Sequence, residues 1–198
     1  MQKARIWYFI GMACLVLWAC NSPYSFKKRG YFKIAFPEKK YQLFDKPGFP
    51  YTFEYPVYGE IIQDSLFFDQ KTENDWWLNV DFPGYNGRIH ISYKDVRRYD
   101  FDSLVSDAFQ MSFKQHTYKA SGIRDSVMKT PNGVEGIYFT LMGNTATANQ
   151  FFLTDSTRHF LRGALYFSAT PNSDSLSVVN DFFKKDMLHL INSVRWRE

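Results

Sequence analysis

Short strand-like runs, separated by turn sequences of a few residues, recur along most of this chain and limit the folds that it can adopt. Turn-forming residues occupy positions 83–87, 130–133 and 142–144, which contain Gly together with Pro or Asn. Consecutive strands that are joined by such short turns must pair antiparallel. The pattern therefore predicts a mainly antiparallel sheet.

The strand signals lie in two groups along the sequence. We predict strands near residues 31–36, 51–56, 59–67, 76–82 and 87–94, and again near 120–128, 134–142, 148–154 and 160–169. Alternation is clearest in the fifth run, where one face of the strand carries Ile89, Ile91 and Tyr93. The opposite face carries the polar residues Arg88, His90 and Ser92.

One predicted helix lies between the two groups of strands, and a second follows the last strand. The first begins at an Asp100 or Asp102 cap and ends near His116, and the second opens after residues 171–173. The second repeats apolar residues at spacings of three and four, namely Leu176, Val179, Phe183, Met187, Leu190 and Val194. The order predicts an α+β fold, a mainly antiparallel sheet covered by two helices. It is similar to that of the αβα sandwiches of the PsbP and Mog1 type, a similarity of topology that says little about function.

The N-terminal segment has the features of a lipoprotein signal. Lys3 and Arg5 precede fourteen uncharged residues, 6–19, which are too few for a membrane span of about 20 residues. Residues 17–20 read Leu-Trp-Ala-Cys and resemble a bacterial lipobox, with Cys20 as the lipidated residue and Cys14 as a weaker second candidate. We therefore predict a signal peptide at 1–19, a lipidated basic linker at 20–30 and a single globular α+β domain at 31–198.

The positive charge of the chain is concentrated beside this predicted anchor. The net charge is +4, but residues 24–46 hold seven Lys or Arg against two acids, whereas residues 47–198 hold fifteen against eighteen. An exported domain with this acidic balance lacks the basic face that nucleic-acid binding requires. The basic segment is either a surface for anionic head groups and cell-wall carboxylates or a solvated linker.

One short segment combines groups that could perform nucleophilic chemistry. Asp155, Ser156 and His159 bring an acid, a hydroxyl and an imidazole together, but without the Gly-x-Ser-x-Gly sequence of a nucleophile elbow. A turn in which Asp155 and Ser156 bond to the local backbone is the preferred interpretation. The four histidines have no spacing typical of metal ligands, and we predict no metal, cofactor or catalytic residue.

Aromatic residues suggest a binding surface. Residues 24–93 hold 19 of them, and the neighbours Trp76 and Trp77 must face opposite sides of a strand. One of the two rings should then be in the core and the other should cover an exposed patch, a partner or a helix. The residues predicted to bind a partner are Tyr31, Trp76, Trp77, Asp155, Ser156, Arg158, His159 and Arg162.

Six segments together resemble one known family. They are residues 29–32, 53–56, 77–83, 87–94, 143–146 and 150–167, and they are similar to the GldD family of gliding motility lipoproteins of the Bacteroidetes. The resemblance implies a cell-envelope lipoprotein that is needed for gliding, is tied to type IX secretion, and acts with other gliding lipoproteins. It supplies no catalytic residues.

Our first hypothesis is a non-enzymatic interaction module, lipid-anchored at Cys20 on the periplasmic face of the outer membrane. The leaflet is inferred because Asn21, and no acidic retention residue, follows Cys20. The alternative is an envelope hydrolase or a cell-wall ligand-binding domain that uses Asp155, Ser156 and His159.

Overall fold

The computed structural model describes residues 33–63, 66–67, 70–114 and 116–197. The residues described from Ala35 onward belong to one compact unit. The predicted signal peptide, the lipidation site Cys20, the basic linker and Tyr31 lie outside the described residues.

The described residues form strands and two long helices in the predicted order. The strands are β1 (Tyr41–Phe44), β2 (Tyr51–Pro56), β3 (Glu60–Gln63), β4 (Leu66–Phe67), β5 (Gln70–Lys71), β6 (Leu78–Phe82), β7 (Gly87–Asp95), β8 (Ala120–Lys129), β9 (Glu135–Gly143), β10 (Asn149–Thr154), β11 (His159–Phe167) and β12 (Arg195–Trp196). The helices are α1 (Phe101–Phe113) and α2 (Ser173–Ser193), and short 3-10 turns span Pro83–Tyr85 and Val96–Arg98.

The main sheet is antiparallel throughout, as the turn sequences predict. Its strand order is β3-β6-β7-β11-β10-β9-β8. A smaller sheet has the order β1-β2-β12, and β4 pairs with β5. The predicted α+β fold, an antiparallel sheet covered by two helices, is confirmed.

The two helices cover opposite faces of the main sheet. On β10 and β11, Leu153 and Leu161 belong to the core that contains α2, whereas their neighbours Phe152 and Phe160 belong to the core that contains α1. Neighbouring residues on a strand face opposite ways, so the sheet lies between the helices. On one face α1 packs on β9, β10 and β11, and the same face of β7 is polar, with Arg88, His90, Ser92 and Lys94.

Helix α2 forms where the sequence predicts it. The Asn172 side chain caps its first turn, accepting from the backbone N–H of Asp174 at 3.1 Å and of Ser175 at 3.2 Å. The predicted apolar stripe faces the sheet, and Phe183 at its centre is fully buried against Phe82. Complete burial of such a side chain contributes roughly 1.5–3 kcal/mol, so this stripe is a major source of helix stability.

Several local predictions differ from the structure, and strands β1 and β12 were not predicted. Residues 33–36 lie in no strand, so the strand predicted near 31–36 is wrong for its described part; Phe36 instead stacks on Phe182 of α2 at 4.2 Å. The run at 59–67 forms β3 and β4, which belong to different sheets. Strands β1 and β12 have four and two residues and are too short to give a periodic signal.

Candidate functional site

The predicted binding residues fall in two main places in the fold. Asp155, Ser156 and Arg158, with His159, lie in the hairpin that joins β10 to β11. Trp77 and Arg162 line a cleft between α1 and strands β7 and β11. Trp76 lies on the other face of the sheet and packs against the α2 core.

The hairpin is held by side-chain to backbone hydrogen bonds. One carboxylate oxygen, Asp155 Oδ1, accepts from the backbone N–H of Thr157 at 3.1 Å, of Arg158 at 2.8 Å and of His159 at 2.8 Å. Burial raises the pKa of Asp155, but these three donors outweigh it, so that the pKa is lowered overall. The carboxylate is therefore committed to shaping the loop.

Ser156 has an unusual backbone conformation at the hairpin tip. Its φ of 63° lies in the left-handed region, which a residue with a side chain rarely adopts. The hydroxyl of Thr154 fixes it, because Thr154 Oγ1 accepts from the Ser156 N–H at 2.8 Å and donates to the His159 carbonyl at 2.7 Å. The Ser156 side chain itself is exposed. The tip is thus rigid and presented to solvent.

The imidazole of His159 is part of the protein interior. It is only 4% exposed, its Nδ1 lies 2.7 Å from the Tyr93 hydroxyl, and its ring stacks on Trp196 at 4.9 Å. Burial lowers the pKa of His159, which the nearby Asp155 carboxylate partly opposes. The ring therefore joins the hairpin to β7 and to the C-terminal strand.

These contacts argue against the nucleophilic interpretation. Asp155 Oδ2 lies 3.9 Å from His159 Nε2, while Asp155 Oδ1 is occupied by backbone donors. Among the described contacts, no hydrogen bond joins Ser156 to His159. A hydroxyl nucleophile needs its base within about 2.6–3.2 Å, so the hydrolase arrangement predicted as the alternative is not assembled here.

Replacing Asp155 by alanine tests this structural role. We expect a loss of about 1–3 kcal/mol in the free energy of unfolding, because three backbone N–H groups lose their acceptor. Asp155→Asn keeps an oxygen in the same place and should lose less than half as much. Urea unfolding followed by circular dichroism measures both variants. Equal stabilities of Asp155→Ala and the wild type would contradict the role of the carboxylate in the loop.

The two tryptophans precede β6 and do not lie in it, so the strand predicted near 76–82 begins only at Leu78, but their rings still lie on opposite faces of the sheet. Trp76 packs edge-on to Tyr93 at 5.4 Å, and its indole N–H donates to the Gly48 carbonyl at 2.8 Å. The Trp77 indole N–H donates to the Tyr93 carbonyl at 3.0 Å, and its ring forms a wall of the cleft. Each ring is half-buried, so neither is wholly a core residue.

Arginines that the sequence analysis did not select lie beside the hairpin. The Val96 N–H donates to the Arg158 carbonyl at 2.9 Å, which places the 3-10 turn Val96–Arg98 against the tip. Arg97 forms two hydrogen bonds with the Asp95 carboxylate and lowers its pKa to about 2. Arg98 is exposed. Only the pairing of His159 with Asp95 across two strands reveals this proximity, and no local motif encodes it.

The cleft has a polar floor and a partly apolar wall. The Arg162 Nη2 donates to Gln150 Oε1 at 2.7 Å, and that oxygen also accepts from the Ser112 hydroxyl of α1 at 3.2 Å. Gln150 Nε2 lies 3.2 Å from Nε2 of His116. Burial lowers the pKa of His116, and the neighbouring Arg162 lowers it further. A neutral imidazole and a fixed guanidinium therefore lie side by side.

Gln150, Ser112 and His116 belong to this site but were not among the predicted binding residues. They come from β10, from α1 and from the residues after α1, so only the packing of α1 on the sheet brings them together. In the residues that the structure describes, no group of three or more His, Cys, Asp or Glu is placed to hold a metal ion. Neither helix there is long and apolar enough to cross a membrane.

The chain was compared with known families, with curated proteins and with solved structures. Residues 21–196 match the sequence model of a family described as gliding motility lipoprotein GldD. The curated proteins contain no match. The solution structure of cyanobacterial PsbP (CyanoP) from Synechocystis sp. PCC 6803 is similar, with a TM-score of 0.45, 8% identity, and coverage of 84% of this chain and 98% of that chain.

Proposed function

The chain belongs to the GldD family of gliding motility lipoproteins, and we propose that it serves gliding as a non-enzymatic interaction module. In this proposal a signal peptide at residues 1–19 is removed, and a lipid on Cys20 holds the domain on the periplasmic face of the outer membrane. The protein acts there with other gliding lipoproteins and with the type IX secretion machinery.

The observation that carries the proposal is the preorganised hairpin tip. A non-glycine residue at positive φ costs of order 1 kcal/mol or more and persists only where the surroundings impose it. Here Thr154 and Asp155 impose it on the exposed Ser156. Such a loop binds a partner with little further loss of conformational entropy. The groups that would be needed for catalysis, Asp155 and His159, are instead engaged in the loop and the core.

The charge of this surface favours an acidic partner. Arg98 and Arg158 flank the tip, and no described residue forms an ion pair with either of them. Arg97 is already paired with Asp95. We therefore place the contact surface at the tip and the adjoining 3-10 turn, against an acidic surface of another envelope protein.

Charge reversal at this surface tests the proposal. The Arg98→Glu/Arg158→Glu double variant, introduced into a strain that lacks the native gene, should lose at least about tenfold in partner capture, because close interfacial charge pairs couple by about 1.5–7 kcal/mol. Gliding should fail in this double variant and also in Arg98→Glu alone. Because Arg98 is exposed whereas Arg158 is half-buried, Arg98→Glu is the variant whose protein level, lipid labelling and unfolding should stay at wild-type values. The matched control is Lys119→Glu/Arg124→Glu, which reverses two exposed charges at and beside edge strand β8.

Three outcomes would count against the proposal. Normal gliding of the Arg98→Glu/Arg158→Glu strain removes the surface, and normal gliding and secretion after gene deletion remove the function. Lipid label that fractionates with the inner membrane contradicts the assigned leaflet. Normal gliding of a stable Ser156→Ala strain would instead remove the hydrolase alternative, because that alternative requires the Ser156 hydroxyl.

A further inference from the structure

The cleft beside α1 has the size of a small-molecule site. Its volume is about 340 Å³, and it lies between α1 and strands β7 and β11, away from the hairpin tip. Ligand pockets of proteins span roughly 300–1,000 Å³ and combine apolar walls with a few fixed polar groups. The chemistry of the groups that line this cleft therefore indicates what it can hold.

The floor of the cleft carries a positive charge without a counter-ion. Arg162 lies on the central strand β11 and is partly buried, and no described carboxylate forms an ion pair with it. A guanidinium stays ionised at all physiological pH values and has five N–H donors. Burial of the side chain lowers the pKa of Arg162, as expected for a charge that is removed from water.

The guanidinium is also held in place before any ligand arrives. Gln150 is 1% exposed and receives the Arg162 Nη2 hydrogen bond on Oε1, and buried Ser112 fixes that same oxygen. An arginine whose orientation is fixed by a buried amide loses little side-chain entropy when it binds a second acceptor. Its planar fork matches the two oxygens of a carboxylate.

The remaining walls select against highly charged ligands. Trp77, Met111 and Phe160 provide apolar surface beside the guanidinium. The rim also contains Glu73, which pairs with Lys94 at 3.1 Å, and the exposed Asp107 of α1. Lys94 offsets the charge of Glu73, so a ligand with several negative charges would be repelled by Asp107, whereas a single carboxylate directed to the floor would not approach it.

We propose that this cleft binds a small monocarboxylate with an apolar or ring-containing body, its carboxylate at Arg162 and its body against Trp77 and Met111. Such a carboxylate can belong to a free organic acid or to the C-terminal end of a short peptide. This binding is independent of the hairpin surface, so either proposal can fail without the other.

Titration of the purified full-length protein with matched acids and amides tests the inference. The probes are phenylacetate with phenylacetamide, and N-acetyl-glycyl-phenylalanine with its C-terminal amide. Binding is measured by calorimetry and by the nuclear magnetic resonance shift of the Trp77 indole N–H. Each acid should bind at least about tenfold more tightly than its amide, because only the acid forms charged hydrogen bonds with the guanidinium. Tighter binding of phenylacetate indicates a free organic acid as the source of the carboxylate. Tighter binding of N-acetyl-glycyl-phenylalanine indicates the C-terminal end of a peptide.

Two variants locate the site. Met111→Glu adds a negative charge to the cleft wall at a side chain that is 40% exposed, and should weaken acid binding at least about tenfold. The control Val178→Glu adds the same charge to α2, on the other side of the sheet, at a side chain that is 57% exposed, and should leave binding unchanged. Arg162→Gln should remove the preference for acids over amides.

Any one of three results would overturn the inference. They are the absence of binding by both acids, equal binding of acids and amides, and acid binding that is unchanged in Met111→Glu. Because Met111 is a surface residue, the last outcome does not depend on the folding of the Arg162 variant.

Discussion

Replacement of Lys39 by methionine is expected to lower the free energy of unfolding by about 3–5 kcal/mol, because it leaves a buried carboxylate without its counter-ion. The Asp186 side chain of α2 is fully buried, and Lys39 Nζ lies 2.6 Å from its Oδ2. The Tyr58 hydroxyl donates to the same oxygen at 2.6 Å, and the Tyr41 hydroxyl donates to Oδ1 at 3.0 Å. The two tyrosines remain in the variant, but neither supplies a positive charge.

The adjacent lysine provides a matched control. Lys40 forms an ion pair with Glu38 at 2.7 Å, but their side chains are 66% and 77% exposed. Exposed pairs contribute about 0–1 kcal/mol, so Lys40→Met should change the stability by less than about 1 kcal/mol. Urea unfolding at constant pH and salt compares the two variants. If Lys39→Met and Lys40→Met lose the same small amount, the Asp186 cluster is not a major source of stability.

A double-mutant cycle with Asp186→Asn separates the ion pair from the loss of packing. The ammonium of Lys39 also contacts Phe182, with Nζ 3.2 Å from the ring centre and 3.0 Å from the carbonyl oxygen, so part of the cost of Lys39→Met lies outside the pair. The additional cost of Lys39→Met in the Asp186→Asn background should be smaller, because the neutral amide no longer requires a cation. The difference between the two costs gives the coupling energy of the pair.

This cluster also shows why part of the fold could not be predicted from the sequence. Lys39 and Asp186 are separated by 147 positions, and nothing in the local pattern of either segment indicates a partner. The long strands and α2 were predictable because their periodicity repeats over many residues, as between Ile89 and Tyr93. Residues 33–36 have the composition of a strand, but Phe36 itself and the nearby Lys39 contact Phe182 of α2, so tertiary contacts override local propensity.

The two candidate sites, the hairpin and the cleft, also differ in how far they could be predicted from the sequence. The hairpin turn was predictable because Asp155 accepts its hydrogen bonds from residues two to four positions later in the chain. The cleft was predictable only in part. Trp77 and Arg162 were both among the predicted binding residues, but that they line one cavity depends on strand register and on the position of α1. The partner of Arg162, Gln150, lies on the next strand, and no local sequence pattern indicates its hydrogen bond to Arg162.

Replacement of Gly136 by alanine is expected to lower the free energy of unfolding by about 3 kcal/mol or more, at the upper end of overpacking effects. Gly136 lies on β9 opposite Leu153 of β10, and β8 flanks it on the other side. A Cβ at this position would overlap the carbonyl oxygen of Phe152 and would come within 2.9 Å of the Leu153 Cα. Both atoms belong to the backbone, so no side-chain rotation relieves the contact.

Gly84→Ala is the matched control for this substitution. A Cβ on Gly84 would meet no atom within 4 Å, and this glycine does not have a positive φ. Alanine reduces the entropy of the unfolded chain by an equivalent of about 0.4–1 kcal/mol, so Gly84→Ala should be neutral or slightly stabilising. Gly136→Ala gains the same stabilisation from the lower entropy of the unfolded chain, but this is smaller than the cost of separating β9 from β10. A Gly136→Ala protein as stable as the Gly84→Ala protein would mean that the two strands can move apart at little cost.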